Sequence, residues 1–369
     1  MSLIGVIPMA MPAMLYLVLA LGSQRLSKVG IVSRVTFALE DLATIDDMLF
    51  NMTGTLTCNK PCFNQGKIEV YAEVHNELYK EPIDAVILDL VDDPEKVRVG
   101  IKLVEHRSQM CVATTLMYKT TYVDENGSIC SVLKGDLQCW SEEAKEHILT
   151  RIDKLGLDGY KCIAIGRYVY CHLDIIGLLP FIDELRSDSA KAVDNLIDMD
   201  LSVIVLTESP MAITKHLCRR LGKLGSNVLH ANLMRELVRN KNETFLNING
   251  ISNLFIERNR HVINSLRNKF GRRCAMVGYE FLDGESICES NIGISVADAT
   301  DSTKSESDLV LTEHGLLSLS SAVQISLEIC QMMKGCMVCA VSSTLHTFAV
   351  RLILLLWRVD NSYPVLQCW

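Results

Sequence analysis

Residues 48–57, Met-Leu-Phe-Asn-Met-Thr-Gly-Thr-Leu-Thr, carry the clearest structural signal in this sequence. The apolar segment 48–50 is followed at once by a polar turn, 51–57, that contains glycine. An apolar run that ends in such a turn is typical of a buried strand leading into a phosphate-binding type of loop. A helical run at residues 39–43 precedes it, so helix, strand and loop follow one another.

Downstream of residue 174, apolar strands alternate with helices. Helices are predicted at 187–199 and 211–221, and strands at 175–179, 202–206, 254–256, 274–277, 292–296 and 308–310. This alternation implies a doubly wound α/β fold, with a parallel sheet, helices on both faces and ligands at the carboxyl ends of the strands.

Residues from about 61 to 167 have a different pattern. Alternating segments such as 129–133 and turns at Asn126-Gly127 and Lys134-Gly135 indicate an inserted, separately folded unit rich in antiparallel sheet.

The composition excludes several classes of protein. The chain has 369 residues, of which 49% are hydrophobic and 22% charged, so it is neither disordered nor fibrous. The net charge of -8 is spread along the chain without a basic stripe, so nucleic acid is not an expected partner. Most of the 14 cysteines stand singly in apolar runs, as buried reduced thiols do. Two closer pairs are not interpreted as a zinc site. Cys58 and Cys62 have a three-residue gap and no histidine pair nearby, and Cys336 and Cys339 lie in a predicted membrane helix.

Two stretches are apolar enough to span a bilayer. Residues 3–21 carry no charge and are followed by Arg25, Lys28 and Arg34, and residues 336–357 are preceded by Lys334. A signal peptide is the alternative for the first stretch, but its cations should precede the apolar core. Two antiparallel membrane helices with a cytoplasmic middle section are therefore predicted.

Both stretches contain residues that are unusual in a membrane helix. Pro8 and Pro12 should make the first stretch irregular, and such breaks survive where they are buried in protein or line a cavity, often an ion site. His346 and Arg351 interrupt the second stretch. They indicate an ion path or, without partner helices, a relic or a site of helix association.

Three segments, in the expected order, resemble P-type ATPases. Residues 53–57 with Asn59-Lys60 resemble the phosphorylation loop, whose family pattern is DKTGTLT. Residues 7–12, Ile-Pro-Met-Ala-Met-Pro, resemble the broken membrane helix before that loop in the plasma-membrane proton pumps of plants and fungi. Residues 293–312, GISVADATDSTKSESDLVLT, are similar to the end of their phosphorylation domain. The chain thus resembles a truncated, degenerate member of that subfamily.

The resemblance implies a haloacid-dehalogenase-like doubly wound parallel sheet with an inserted α+β nucleotide-binding-type domain, flanked by two transmembrane helices. We expect no counterpart of the actuator domain or of the other membrane helices. The implied parts are a helix resembling pump helix four at 1–24, the phosphorylation-type domain at 25–60 and 168–333, the inserted domain at 61–167, a helix resembling pump helix five at 334–357, and a tail at 358–369.

The resemblance also shows which reactive groups are missing. Asn51 stands at the phospho-aspartate position, and an amide does not form an acyl phosphate. Met52 replaces the family's lysine, and Glu208-Ser209 replace the Gly-Asp of its TGD loop. The remnants of the phosphate loop are Thr53, Gly54, Thr55 and Thr207.

The family's magnesium ligands are reduced to one. Its GDGVND segment is Gly278 to Asp283 here, with Tyr279 at the first aspartate and Asp283 as a vestigial ligand. A basic residue expected upstream falls near Asn259. So many losses at one site predict that phosphoryl transfer is abolished.

Remnants of a nucleotide site are Lys134 and Gly135, at the family's KGAPE motif, and Asp183 and Arg186, at the ends of its DPPR hinge. The alternative is that Lys134 and Arg186 are solvated surface cations. Residues 109–111 lack the expected adenine-stacking phenylalanine. The family uses ATP and magnesium, but no cofactor is expected here.

The sequence therefore predicts a catalytically inactive relative of a proton-transporting ATPase, in the plasma membrane with its central domains cytoplasmic. Expected partners are membrane lipid and other membrane helices or intact pump subunits. The alternatives are a membrane-tethered regulatory ATP-binding module and a residually active ATP hydrolase or proton-transport component.

Overall fold

The computed structural model describes residues 11–63, 69–70, 102–112, 115–123, 127–136, 148–169, 172–240 and 243–356. In this part the fold is mixed α/β, with a parallel sheet, a curled antiparallel sheet and a long apolar helix at the end of the described chain. The predicted fold class is confirmed.

The helices of the described residues are α1 (Met11–Lys28), α2 (Ala38–Leu42), α3 (Leu149–Leu157), α4 (Ser189–Asp198), α5 (Met211–Arg220), α6 (Ala231–Arg239), α7 (Asn259–Phe270), α8 (Gly284–Glu289), α9 (Asp301–Glu306) and α10 (Leu317–Leu356). Short helical turns cover Met52–Leu56, Glu243–Asn247, Ile256–Arg258 and Phe281–Asp283.

The strands are β1 (Ile31–Ser33), β2 (Asp47–Asn51), β3 (Thr57–Phe63), β4 (Glu69–Val70), β5 (Lys102–Val112), β6 (Thr115–Val123), β7 (Ile129–Asp136), β8 (Lys161–Val169), β9 (His172–Leu185), β10 (Ser202–Leu206), β11 (Val228–His230), β12 (Gly250–Ser252), β13 (Cys274–Gly278), β14 (Ile292–Ser295) and β15 (Leu309–Leu311).

The parallel sheet has the strand order β1-β15-β14-β13-β2-β10-β12-β11, and within it only β1 runs antiparallel to its neighbour. Strand β2 lies between β13 and β10, and all five of its residues are buried. Phe50 faces one apolar core and Leu49 the other. Burial on both faces explains why this strand is a continuous apolar run rather than an alternating one.

The antiparallel sheet has the order β3-β9-β8-β7-β6-β5, with β4 paired to β9. It extends from Thr57 to Leu185, beyond the 61–167 range predicted for the inserted unit. The assignment of strand 175–179 to the parallel sheet is wrong, because this segment is part of the long strand β9, which pairs with β3 and β8.

The predicted strand at 254–256 is also wrong. The parallel strand is β12, which ends at Ser252, and Asn253 follows with φ of 53°. Leu254 and Ile256 are buried. They are apolar because they pack on the core after the chain has left the sheet, and not because they form a strand.

The helix α10 begins at Leu317, well before the predicted 336. Its first half packs on the domain through Leu319, Ala322, Val323 and Ile329. Residues Leu317–Ile353 are long and apolar enough to cross a membrane, and no other helix of the described residues passes that test. The other predicted span, 3–21, falls partly on residues 1–10, and Pro8 with them, outside the described residues. Pro12 lies in the first turn of α1, where a missing N–H is tolerated.

Candidate functional site

The carboxyl ends of three adjacent parallel strands bring the predicted phosphate-site residues together. Asn51 ends β2, Thr207 follows β10, and Asp283 lies in the turn after β13. The loop Met52–Leu56 covers this edge of the sheet. Adjacent parallel strands end at one edge, so residues that are far apart in sequence meet here.

Asn51 and Asp283 are in direct contact. The Asn51 Nδ2 donates to Asp283 Oδ1 at 2.9 Å and to Oδ2 at 3.1 Å, and the Asn51 Oδ1 accepts from the Met52 N–H at 2.8 Å. Both side chains are buried. The amide orientation is consistent, because its oxygen faces a donor and its nitrogen faces a carboxylate.

The Asp283 carboxylate also accepts from the backbone N–H groups of Tyr279, at 2.9 Å, and Glu280, at 3.0 Å. Burial raises the pKa of Asp283, and the three hydrogen bonds from Tyr279, Asn51 and Glu280 oppose that rise. The pKa of Glu280 is raised as well, first by burial and then by repulsion from Asp283 and Glu208.

Met52 fills the space beside Asn51. The Thr207 hydroxyl lies 3.4 Å from the Met52 Sδ and the Ser209 hydroxyl 4.0 Å from it. The Met52 side chain is 2% exposed. A neutral thioether therefore lies beside Asn51, at the position where the family resemblance implies a cation.

The ring of Tyr279 lies against the loop at Gly54. A β-carbon at position 54 would clash with Tyr279 Cδ1, and Gly54 has φ of 73°, so no other residue fits there with this ring in place. Thr53 is half-buried, and the buried Thr55 hydroxyl has no hydrogen-bond partner among the described residues. Tyr279 thus packs an aromatic ring where a magnesium ligand was expected.

Arg186 and Asp183 join the loop to the antiparallel sheet. The Arg186 Nε donates to the Thr55 carbonyl at 2.9 Å, its terminal nitrogen donates to the Gly54 carbonyl, and the guanidinium pairs with Asp298 at 2.9 Å. Its side chain is 9% exposed, so Arg186 is not a solvated surface cation. Asp183 accepts from the Thr57 hydroxyl and from the Lys60 N–H. Both hinge residues hold the loop in place.

Lys134 lies on β7, is 4% exposed, and places its Nζ 5.2 Å from the centre of the Tyr118 ring. It is not a solvated surface cation either. Gly135, beside it, is buried and pairs with Ala164 of β8. Between the two sheets a water-accessible cavity of about 20 Å³ is lined by residues that include Met52, Lys161, Asp183, His216 and Arg220. That volume holds about one water molecule and not a nucleotide.

Two further positions were expected from the sequence, Asn259 and His346. Asn259 begins α7, is 2% exposed, and its Oδ1 has no hydrogen-bond partner in the described part of the chain. His346 lies exposed on α10.

Sequence reasoning did not predict the role of His216 in joining the two sheets. Its ring packs on Gly159, and its Nδ1 lies 3.1 Å from the Leu157 carbonyl oxygen. The only signal for this contact was the short loop Asp158-Gly159, since glycine permits both the turn and the close approach of the ring.

The arrangement does not fit a magnesium ion. Both oxygens of Asp283 already accept hydrogen bonds, and the Asn51 amide presents N–H groups where a cation needs oxygen ligands. Among the described residues, no group of three or more His, Cys, Asp or Glu side chains has a metal-holding arrangement.

The fold defined by these elements is that of P-type ATPase domains. The chain is similar to a zinc-transporting PIB-type ATPase in the E2·Pi state, with a TM-score of 0.56 and 17% identity over 92% of this chain and 50% of the other. A zinc-transporting PIB-type ATPase in another state of its cycle gives a TM-score of 0.53 and 17% identity, over 86% and 47%. No protein-family model matches the sequence.

This similarity has limits that bear on function. At 17% identity it shows the fold alone, and the chain spans about half the length of these transporters. It supports a P-type ATPase-like architecture in general and not the proton pumps in particular.

Proposed function

We propose that this chain is a membrane-anchored relative of plasma-membrane proton-transporting P-type ATPases that does not form a phosphoenzyme. The observation that carries the proposal is the buried contact between the Asn51 amide and the Asp283 carboxylate. The motif resemblance supports the proton-pump subfamily, and the apolar helix α10 supports a membrane location.

The first reason is the nucleophile. Phosphoryl transfer to a protein carboxylate needs an ionised oxygen in line with the terminal phosphate. Asn51 offers a neutral amide whose nitrogen donates its hydrogens to Asp283 and whose oxygen accepts from Met52 N–H. No lone pair of an anionic oxygen faces the loop from this position.

The second reason is electrostatic. The transferred phosphoryl group needs cationic groups and magnesium to offset its charge, and these supply most of the catalysis. At this site Met52 is neutral, Tyr279 covers Gly54, and Asp283 is saturated by donors. An incoming phosphate would meet a thioether and an aromatic ring.

The test is phosphoenzyme formation. The purified chain, in detergent with magnesium and ATP labelled in the terminal phosphate, is expected to give no acid-stable label. Asn51→Asp alone is also expected to stay unlabelled, because catalytic groups that act as a unit are strongly non-additive. The combined variant Asn51→Asp, Met52→Lys, Ser209→Asp and Tyr279→Asp restores the missing groups together, and its labelling is compared with that of the single variant. Hydroxylamine-sensitive label on the unmodified chain would overturn the proposal.

The regulatory ATP-binding alternative has its own readout. A nucleotide bound only to the native state stabilises it by mass action, so ATP would raise the melting temperature. No rise is expected, because residues 109–111 lack the adenine-stacking phenylalanine of the family and Met52 and Tyr279 fill the phosphate loop. A rise without label would favour the ATP-binding module.

A further inference from the structure

The fully buried residues of the two long helices lie at the ends nearest the domain, and on α1 only the partly buried Leu15 and Val18 continue the packing beyond them. On α1, Leu19 is 1% exposed, and no residue from 11 to 18 is buried. On α10, Met333 is 8% exposed, and no residue from 334 to 353 is buried. Each helix therefore has a segment inside the protein and a segment outside it.

The buried segments of α1 and α10 end at the same level along the helix pair. A β-carbon on Gly22 would lie 3.0 Å from Ile329 Cγ1, and Arg25 pairs with Glu328 at 3.2 Å. The helices are antiparallel, since α1 leads into the domain and α10 leads out of it. Leu19 lies about one turn before Gly22, and Met333 about one turn after Ile329, so the two boundaries coincide.

The loop between β1 and α2 lies close to this level of α1. Residues 34–37 connect β1 to α2, and the ring of Phe37 packs on Tyr16 of α1 with centroids 6.3 Å apart and a 58° angle between the planes. Phe37 is 49% exposed, Val35 44% and Tyr16 58%. On the outer segment of α10, Val338 is also exposed, at 65%. Phe37 and Tyr16 thus form an exposed aromatic pair that joins the loop to the outer segment of α1.

We infer that Val35 and Phe37, with Tyr16, form an interfacial loop that inserts into the headgroup boundary of a phospholipid membrane. The inference rests on the membrane location in the proposed function. Aromatic rings with a polar tip or edge concentrate at this depth of a bilayer. Lys28 lies on the domain side of it, where anionic headgroups attract a cation, as does Arg25, whose charge is paired with Glu328.

Hydrogen bonds of Arg34 fix this loop to the surface of the domain. The Arg34 guanidinium donates to the carbonyl oxygens of Lys304, at 2.8 Å, and Ser305, and its N–H bonds to the Asp308 carbonyl at 2.8 Å. Arg34 thus points into the domain while Val35 and Phe37 remain outside. A lipid occupant fits this division, because the Arg34 guanidinium is hydrogen-bonded to backbone carbonyl oxygens of the domain while Val35 and Phe37 stay exposed.

The lipid boundary then passes near Tyr16 and Lys334. Within α1, Leu19, Gly22 and Leu26 are buried against protein, although the apolar stretch in the sequence extends to residue 21.

The experiment uses the full chain in liposomes. Phe37→Trp adds a reporter at the loop, and Ile129→Trp adds one at a residue of β7 that is 75% exposed and belongs to the antiparallel sheet. The emission of the parent, which has three tryptophans, is subtracted. Lipids brominated near the headgroup end of the acyl chains should remove most of the added emission at 37 and none at 129. Acrylamide in the water should quench 129 and spare 37.

Flotation of the liposomes comes first. A chain that does not float overturns the membrane location and with it the proposed function. A chain that floats, but whose reporter at position 37 is quenched by acrylamide and not by brominated lipid, overturns the interfacial loop alone. Shielding from both quenchers also overturns it, because it means that protein, from another segment or a second copy, covers the surface. Val35→Trp supplies the same readout if Phe37→Trp does not fold.

Discussion

At position 51, one amide in place of one carboxylate changes what the neighbouring aspartate does. In this chain Asp283 accepts hydrogen bonds from Asn51 and from two backbone N–H groups at the carboxyl edge of the parallel sheet. A carboxylate at position 51 would instead place two buried acids in contact. Like charges at this distance do not both ionise, so the pair would hold a proton.

This contact predicts a pH-dependent stability for Asn51→Asp without metal. The folded pair keeps a proton that the unfolded chain loses above a pKa of about 4, so stability falls as pH rises through that window. The free energy of unfolding of the variant should be lower than that of the parent by about 2–3 kcal/mol at pH 7, and the deficit should shrink toward pH 4.

Urea unfolding in EDTA over this pH range measures the deficit. Asn51→Ala is the control, because it removes the same hydrogen bonds without adding a charge. Loss of the Asn51 donor lets the pKa of Asp283 rise further, so the deficit of this control should also grow with pH, but by less than that of Asn51→Asp. A deficit for Asn51→Asp that is constant across the range would contradict the coupling of positions 51 and 283.

At the scale of elements, α1 and α10 pack closely because Gly22 has no side chain. A β-carbon there would lie 2.8 Å from Leu39 Cδ1 and 3.0 Å from Ile329 Cγ1. Overpacking of this kind costs about 1–3 kcal/mol, so Gly22→Val should destabilise the chain by that amount.

Gly335→Val is the matched variant, since nothing lies within 4 Å of a β-carbon at that position of α10. It should change stability by less than about 0.5 kcal/mol, as surface substitutions usually do. Denaturant unfolding in detergent compares the two. Equal effects would show that the interface between the helices does not set the cost.

Element by element, the sequence predicts what depends on local pattern. The predicted strands β10, β13 and β14 agree with the structure to within a residue, because a run buried on both faces is apolar throughout. The segment 175–179 is recognisable as a strand but not by its partners, since sheet membership depends on long-range pairing that periodicity does not encode. Residues 254–256 show that burial alone does not make a strand.

The candidate site is predictable in the same partial way. The meeting of residues 51, 207 and 283 follows from motifs at the ends of parallel strands. The packing of Met52 against Thr207, of Tyr279 on Gly54, and of Arg186 on the loop carbonyls does not. Those contacts depend on side-chain directions, which are set only once the surrounding elements are in place.

At the scale of the whole molecule, the two sheets are joined by β3 and β9 and by the contact of α3 with α5. Gly159 follows α3 with φ of 86°, and a β-carbon there would lie 2.5 Å from His216 Cδ2. Position 159 must adopt a positive φ and must also leave room for the ring of His216 on α5. A substitution there therefore tests how strongly the two parts of the chain are held together.

Gly159→Ala should therefore cost more than Gly127→Ala. Gly127 has a similar φ of 79° and nothing within 4 Å, so alanine there costs only the left-handed strain of about 1–2 kcal/mol. At 159 the clash with His216 should add about 1–3 kcal/mol, and His216→Ala in the same chain should recover most of that addition. Thermal unfolding of the four variants, including His216→Ala alone, completes the cycle. No extra cost at 159 over 127 would mean that the two parts separate freely at this contact, and an extra cost without recovery would mean that it does not come from His216.

The helix α10 is unbroken for 40 residues, which at 1.5 Å per residue makes a rod of about 60 Å. A small rotation at one end of such a rod displaces the other end by a larger distance. A tilt of about one degree at the end anchored by Leu319 and Val323 moves the other end by about 1 Å. A small change in the angle at which α10 leaves the parallel sheet would therefore give a larger displacement at its far end.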